Sequence, residues 1–178
     1  MTYKDWYLLS IDKLHLLYLQ QNIASDFMLE SVLKRTTSDN SDFQNLVILL
    51  DQDLKIRDGD EHYFFAQFNK LDSIRNVVVY YSDNIPVGCG AFKKYDEQSV
   101  EIKRMFVKDE FRRKGIAGII LKELELWAKE SGFSACVLET GKKQPEAIRL
   151  YQKSGYEKIP NYGQYENVEN SVCMRKII

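Results

Sequence analysis

The sequence predicts an α/β (α+β) fold in which an antiparallel meander feeds a βαβ unit, giving a mixed sheet with helices on both faces. Three observations carry that prediction. Segments 76–81, 85–92 and 99–107 are rich in β-branched, aromatic and other apolar residues and are separated by turn formers, Ser82-Asp83-Asn84 and the polar stretch through Asp96, so short connections pair them antiparallel. Ile116, Ile119, Ile120, Leu124 and Trp127 then recur at helical spacing, with Lys122, Glu125 and Lys129 on the far side. Ala135-Cys136-Val137-Leu138 is an apolar run reached through that helix, which sets it parallel to 99–107 by a right-handed crossover.

The other elements follow in chain order. Residues 1–36 carry large apolar side chains, among them Trp6, Leu9, Leu14, Phe27 and Leu33, at spacings that suit two short helices. Ser25 is a cap for the second, and a strand through Trp6-Tyr7-Leu8-Leu9 is the alternative start of the first. Residues 36–42 hold turn formers and no large apolar side chain, which reads as a linker and divides the chain into an N-terminal helical extension (1–40) and a main domain (41–178). Leu46-Val47-Ile48-Leu49-Leu50 is a continuous apolar run predicted to be a buried strand, and residues 61–69 place aromatics at near-helical intervals. Gly132 ends the 116–130 helix, with Glu125 and Lys129 supporting it at i, i+4. Pro145 opens a further helix that stops before Gly155, and 172–177 is a closing strand.

Composition bounds the function. With 178 residues, 25 Lys+Arg against 26 Asp+Glu and a formal net charge of -1, the chain lacks the broad basic field of a nucleic-acid binder. No apolar run approaches the roughly 20 residues needed to span a bilayer, and the N-terminus lacks a secretory layout, so a cytoplasmic protein without membrane or nucleic-acid partners is expected. Cys89, Cys136 and Cys173 are odd in number, widely spaced and set in apolar segments, while His15 and His62 share no ligand spacing with them. Buried thiols and no metal site are expected.

The strongest chemical signal lies where 99–107 gives way to the helix: Arg112-Arg113-Lys114-Gly115-Ile116-Ala117-Gly118. First-turn amides of a helix lack internal partners and attract anions, an effect of only about 0.3–1 kcal/mol from the dipole. Glycines let a diphosphate approach the backbone, and the cations add charge-assisted hydrogen bonds. The stretch reads as a pyrophosphate cradle.

That stretch resembles the signature of the GNAT (Gcn5-related) N-acetyltransferase family, Arg or Gln, two residues, Gly, one residue, Gly or Ala. A second segment, Gln144-Pro145-Glu146-Ala147-Ile148-Arg149-Leu150-Tyr151-Gln152-Lys153-Ser154-Gly155-Tyr156, resembles the family's Asn-x-x-Ala-x-x-Leu-Tyr-x-x-x-Gly-Phe, with Gln144 in place of asparagine. The resemblance covers 43–178 in element order and is most specific over 99–156. It implies that residues Arg112, Arg113, Lys114, Gly115, Ile116, Ala117 and Gly118 hold the pyrophosphate of acetyl-CoA. It implies too that the backbone of Met105, Phe106 and Val107 pairs with the pantetheine amides and that Gln144 and Tyr151 contact the cosubstrate. Tyr151 is then the general acid, since a phenol of reference pKa near 10 keeps its proton at neutral pH yet can protonate a departing thiolate.

Glu101, eleven residues before Arg112, matches the place of the catalytic glutamate in histone-acetylating relatives and is the expected base. Glu139, at the end of the parallel strand, is the competing carboxylate, and a water relay is a third route. Strand alternation places Glu101, Lys103, Met105 and Val107 on one face and Arg104 on the other. Arg104, Glu139 and Tyr165 are the expected acceptor contacts, and Asp58-Gly59-Asp60-Glu61, with Tyr63 and Tyr162, points to a cationic acceptor. The expected activity is direct acetyl transfer to a primary amine of a small molecule or peptide. The alternative is a CoA-binding module that transfers nothing. The N-terminal segment either covers the core or joins a homodimer, as is common in the family.

Overall fold

The computed structural model describes residues 31–68, 71 and 74–178. The readings made for residues 1–30 lie outside the described residues. Seven strands form one sheet in the order β1-β2-β3-β4-β5-β7-β6, with β1 at Ser31–Thr36, β2 at Asn76–Ser82, β3 at Ile85–Lys94, β4 at Ser99–Val107, β5 at Ala135–Gly141, β6 at Glu157–Lys158 and β7 at Ser171–Ile177. Every neighbouring pair is antiparallel except β4 and β5, which run parallel. The meander and the βαβ unit are thus present as expected.

Helices α1 (Ser41–Asp58), α2 (His62–Ala66), α3 (Ile116–Glu130) and α4 (Pro145–Lys153) supply the covering layers. Two corrections concern the start of the domain. Residues 31–36, read as part of a helical extension, form β1 and pair with β2 from Ser31↔Ser82 to Thr36↔Val77. The run 46–50, read as a strand, belongs to α1. There Phe43, Leu46, Val47 and Leu50 are buried, while Ile48 and Leu49 are 55% and 39% exposed, a helical stripe that unbroken hydrophobicity disguised. Polar residues 36–42 do not form a loose linker; the Asn40 side chain accepts a hydrogen bond from the Phe43 amide at 2.9 Å and caps α1.

The two apolar faces of the sheet are filled differently. On one, α1 packs over Val77, Val79, Cys89, Ala91 and Phe106. On the other, Ile116, Ile120, Leu121 and Leu124 of α3 meet Val78, Phe92, Val100 and Ile102, and Tyr151 of α4 joins the same cluster. Each such Val, Leu, Ile or Phe side chain contributes about 1.5–3 kcal/mol on burial. Ile119, assigned to that face from sequence, is instead 43% exposed, and Leu121 takes its place. Glu125 pairs with Lys176 of β7 at 2.6 Å rather than with Lys129. Gly132 ends α3 as expected, at φ 90, with Phe133 and Gly132 amides returning to Ala128 and Lys129 carbonyls.

Gly90 of β3 sits where, among the described glycines, this packing leaves the least room. A Cβ there would meet Met105 Sδ at 2.5 Å, Leu124 at 2.8 Å and Ile120 at 2.9 Å. The β3–β4 register shifts at the same spot: Cys89 faces Phe106 and Ala91 faces Lys103, so Arg104 and Met105 both stand opposite Gly90. Arg104 takes up the extra residue with φ 58, a β-bulge.

Candidate active site

The parallel pair opens into a cleft. β4 and β5 are in register over only three rungs, Ser99↔Ala135, Val100↔Cys136 and Glu101↔Val137, although β4 continues to Val107 and β5 to Gly141. Beyond Glu101 the edge of β4 toward β5 has no strand partner among the described residues, which leaves backbone donors and acceptors for a ligand. The cleft is walled by Lys103, Arg104 and Met105 of β4, Glu139, Thr140 and Gly141 of β5, Tyr151 and Gln144 at α4, and Leu50, Leu54, Asp58, Phe65 and Tyr165 above.

The bulge changes which residues share a face. Glu101 and Lys103 were expected on one face with Met105 and Val107. Past the bulge, however, Met105 and Val107 pack with the α3 cluster, Phe106 joins the α1 cluster, and Arg104 reaches α1, where its Nη1 donates to Asp51 Oδ1 at 2.7 Å. The extra residue inverts the alternation downstream of Lys103.

The two carboxylates near the rung are held differently. Glu101 is 2% exposed; its Oε2 lies 3.2 Å from Lys93 Nζ and 3.6 Å from Lys103 Nζ, and the Tyr162 hydroxyl donates to Oε1 at 3.3 Å. Glu139 accepts from the Ser171 hydroxyl at 2.7 Å. Burial pushes its pKa up to about 7, against the opposing pull of Ser171 and Lys103 and with a further push from Glu101 and Asp58. Of the two carboxylates expected as base, Glu139 lines the cleft and Glu101 does not.

Tyr151 is 6% exposed, and its ring meets Tyr156 edge-on at 5.7 Å. Burial, then the charge of Glu139, pushes its phenol well above the ordinary tyrosine value, so it keeps its proton at neutral pH. Gln144 is placed at the cleft by its side-chain oxygen, which accepts from Thr140 Oγ1 at 3.5 Å. Tyr165 is buried, its ring 5.8 Å from Phe68 and 6.0 Å from Tyr162.

At the far end of β4 the loop turns twice through the left-handed region, at Arg113 (φ 63) and Gly115 (φ 83), before α3 begins at Ile116. Left-handed residues alternating with others curl successive amides into a concavity that suits anions. Arg113 and Lys114 are exposed, with Lys114 Nζ 4.9 Å from the Phe111 ring. The Arg112 guanidinium is engaged by the protein itself: it donates to the Val107 carbonyl at 2.9 Å and pairs with Asp109 at 2.8 Å and Asp53 at 3.3 Å.

A profile of the Acetyltransferase (GNAT) family matches residues 41–156. An IAA acetyltransferase of Azospirillum brasilense is 33% identical over 148 residues, which are 79% of this chain and 96% of the relative. The chain belongs to the GNAT acetyltransferase family. It is an enzyme of the acyl-CoA N-acyltransferase class. A Xenopus tropicalis protein named for N-acetyltransferase 14 is 42% identical over 82 residues, 46% of this chain and 39% of that relative. A Klebsiella pneumoniae structure named for an acyl-CoA N-acyltransferase superposes with TM-score 0.69 at 25% identity, covering 83% of this chain and 97% of that one. A GNAT family acetyltransferase of Elizabethkingia anophelis with acetyl-CoA bound has the same fold, TM-score 0.63 at 20% identity over 83% of this chain and 98% of that one.

The loop of this GNAT enzyme leaves room for a diphosphate beside its glycines: a Cβ added to Gly115 or Gly118 would meet no atom within 4 Å, so internal packing does not require either glycine. Among the described residues no cluster of His, Cys, Asp or Glu is placed to hold a metal, and no helix is long and apolar enough to cross a membrane. All three thiols are buried, with burial pushing Cys136 up to about 12 and Cys173 up to about 11. Sequence reasoning missed Lys103 and Ser171 as site residues, and offered Tyr162 as an acceptor contact where the structure has it donating to Glu101. The i, i+2 spacing of Glu101 and Lys103 signalled the first; Ser171 arrives from β7, and no local pattern marks it.

Proposed function

We propose that this enzyme transfers an acetyl group from acetyl-CoA to a primary amine directly, within a ternary complex, with Glu139 as general base and Tyr151 as general acid. The observation that carries the reading is that Glu139 and Tyr151 wall one cleft and that burial sets their protonation for opposite tasks, a carboxyl raised to about 7 and a phenol held protonated. Acetyl-CoA supplies the thioester carbonyl that the amine attacks. Glu139 takes the proton that the amine gives up as its C–N bond forms, and Tyr151 gives its phenolic proton to sulfur as the C–S bond breaks. Passage of a proton from Glu139 to Tyr151, directly or through water, restores both groups and leaves an amide and a free thiol.

Glu139 replaces Glu101 as the base in this reading. A carboxylate wedged between two lysines and a tyrosine hydroxyl stands outside the lining of the cleft and is not placed to meet a substrate amine there. Residues 113–118 cradle the pyrophosphate, with Arg112 shaping the loop through Asp109 and Asp53, and the unpaired edge of β4 near Met105 receives the pantetheine arm. The acceptor is a small-molecule or peptide amine. A thiol-release assay with acetyl-CoA and an amine panel tests this: turnover is expected with at least one amine, reduced about 10²-fold or more in Tyr151→Phe. Coenzyme A binding without turnover on any amine would instead describe a module that transfers nothing.

A further inference from the structure

We propose that the acceptor amine carries a carboxylate, which docks on the Lys103 ammonium while the amine faces Glu139. The inference rests on the acetyl-transfer reading for its geometry and names the class of acceptor: an amino carboxylate.

Lys103 is a cation built into the cleft wall, its side chain 8% exposed. Among the described residues, the one carboxylate within ion-pair distance is Glu101, at 3.6 Å, too long for a hydrogen bond. That carboxylate is already committed to Lys93 at 3.2 Å and to the Tyr162 hydroxyl. Two buried or half-buried lysines therefore share one negative charge, and the one that faces the cleft has the weaker share. A buried ammonium with donors to spare is costly unless an anion reaches it.

The neighbours add to the demand. Burial pushes the Lys103 pKa down, Glu101 and Glu139 oppose that, and Lys93 and Arg104 reinforce it. Arg104 does not share Lys103's need, because Asp51 holds its guanidinium at 2.7 Å. Glu139 does not serve as Lys103's fixed partner either, since its hydrogen bond comes from Ser171. The cleft thus presents a proton acceptor on β5 and an under-neutralised cation on β4, the two ends that an amino carboxylate matches. The acidic run from Asp58 to Glu61 had pointed to a cationic acceptor. Of its residues, Asp58 lines the cleft and Asp60 is exposed to solvent, and a cation alone would leave Lys103 unanswered.

A carboxylate reaches this site from one of two sources, the acceptor or the acyl group, and the acceptor is assigned because Lys103 lies across from the base. The test uses the purified full chain at pH 8.5, where Glu139 is ionised, with acetyl-CoA and matched acceptors, each amino acid beside its carboxamide. The carboxylate is expected to be preferred in kcat/KM by about tenfold or more, the worth of a hydrogen bond to a charged group. That ratio should collapse toward one in Lys103→Met and largely return in Lys103→Arg. A wild-type ratio of one or below, or a ratio unmoved in Lys103→Met, overturns the proposal. So does Lys103 dependence that appears only when succinyl-CoA replaces acetyl-CoA.

Calorimetry of the same acceptor pairs on the protein loaded with coenzyme A keeps the two readings apart. Lys103-dependent binding of the carboxylate without transfer to any amine would sustain the docking site and bring down the transferase reading. Transfer that ignores the carboxylate would do the reverse. Should Lys103→Met fail to fold, as its thermal melt would show, the wild-type ratio and Lys103→Arg decide.

Discussion

The closed and open halves of the β4–β5 pair hold the same side-chain type under opposite conditions. Glu101 sits on the last paired rung, opposite Val137, and Glu139 lies two residues further along β5, where the strands have parted. The closed half surrounds its carboxylate with two lysines and a tyrosine hydroxyl. The open half gives its carboxylate a serine donor and a cleft, and burial raises its pKa to about 7. Residue type is alike; depth, access and local charge differ. The comparison teaches that a base in this sheet is made by separating strands as much as by placing a glutamate.

The sharpest way to break that contrast is to neutralise each carboxylate in turn. Glu139→Gln is expected to lower kcat/KM by about 10²–10⁴, the usual worth of general base catalysis, whereas Glu101→Gln should cost less than about tenfold. Steady-state kinetics that returned the opposite order would hand the base to the closed half.

A smaller effect is the pH profile. The groups bearing on Glu139 are Ser171, Lys103, Glu101 and Asp58, and with a pKa of about 7 its ionised fraction rises about tenfold between pH 6 and 8. The kcat/KM of the wild type should follow that rise after division by the profile of Glu139→Gln; a flat quotient would remove Glu139 from the proton path.

Smallest is a change in stability of defined sign. Because the folded pKa of Glu139 is raised, the native state binds this proton more tightly than the unfolded chain. Its contribution is therefore full below the unfolded value of about 4.3 and is lost as pH rises through about 7, by roughly 4 kcal/mol at most. Glu139→Gln should melt a few degrees above the wild type at pH 8 and converge with it near pH 4, as read by circular dichroism. A lower melting temperature at pH 8 would show that the carboxylate stabilises the fold.

Much of this was legible in sequence because local pattern and tertiary role agreed there. The meander, the α3 stripe, Pro145 and Gly155 around α4, and the Arg112–Gly118 loop each carry their own signal. The misreadings share a cause. Residues 46–50 are apolar on every side, so period could not reveal that Ile48 and Leu49 face outward from a helix. Ser31–Thr36 is mostly exposed, and an edge strand defined by its hydrogen-bonded neighbour leaves little alternation to find. The bulge at Arg104 is a relation between two strands and has no signature in either alone, yet it decides that Met105 parts company with Lys103. The weight given to Glu101 over Glu139 failed to anticipate Lys93 and Tyr162, which come from elsewhere in the chain and meet only in the fold.

Gly90 turns that last point into a constraint on the enzyme's future. Its missing side chain lets Met105 and α3 crowd the back of β3 while β4 carries one residue too many. A single methyl there would press on Met105, a wall of the cleft, and on the α3 side chains packed behind it. Variants that retune this catalyst from outside its reaction chamber are therefore to be sought at that hidden hydrogen atom, where a change too small to touch any reactant moves the wall against which all of them are aligned.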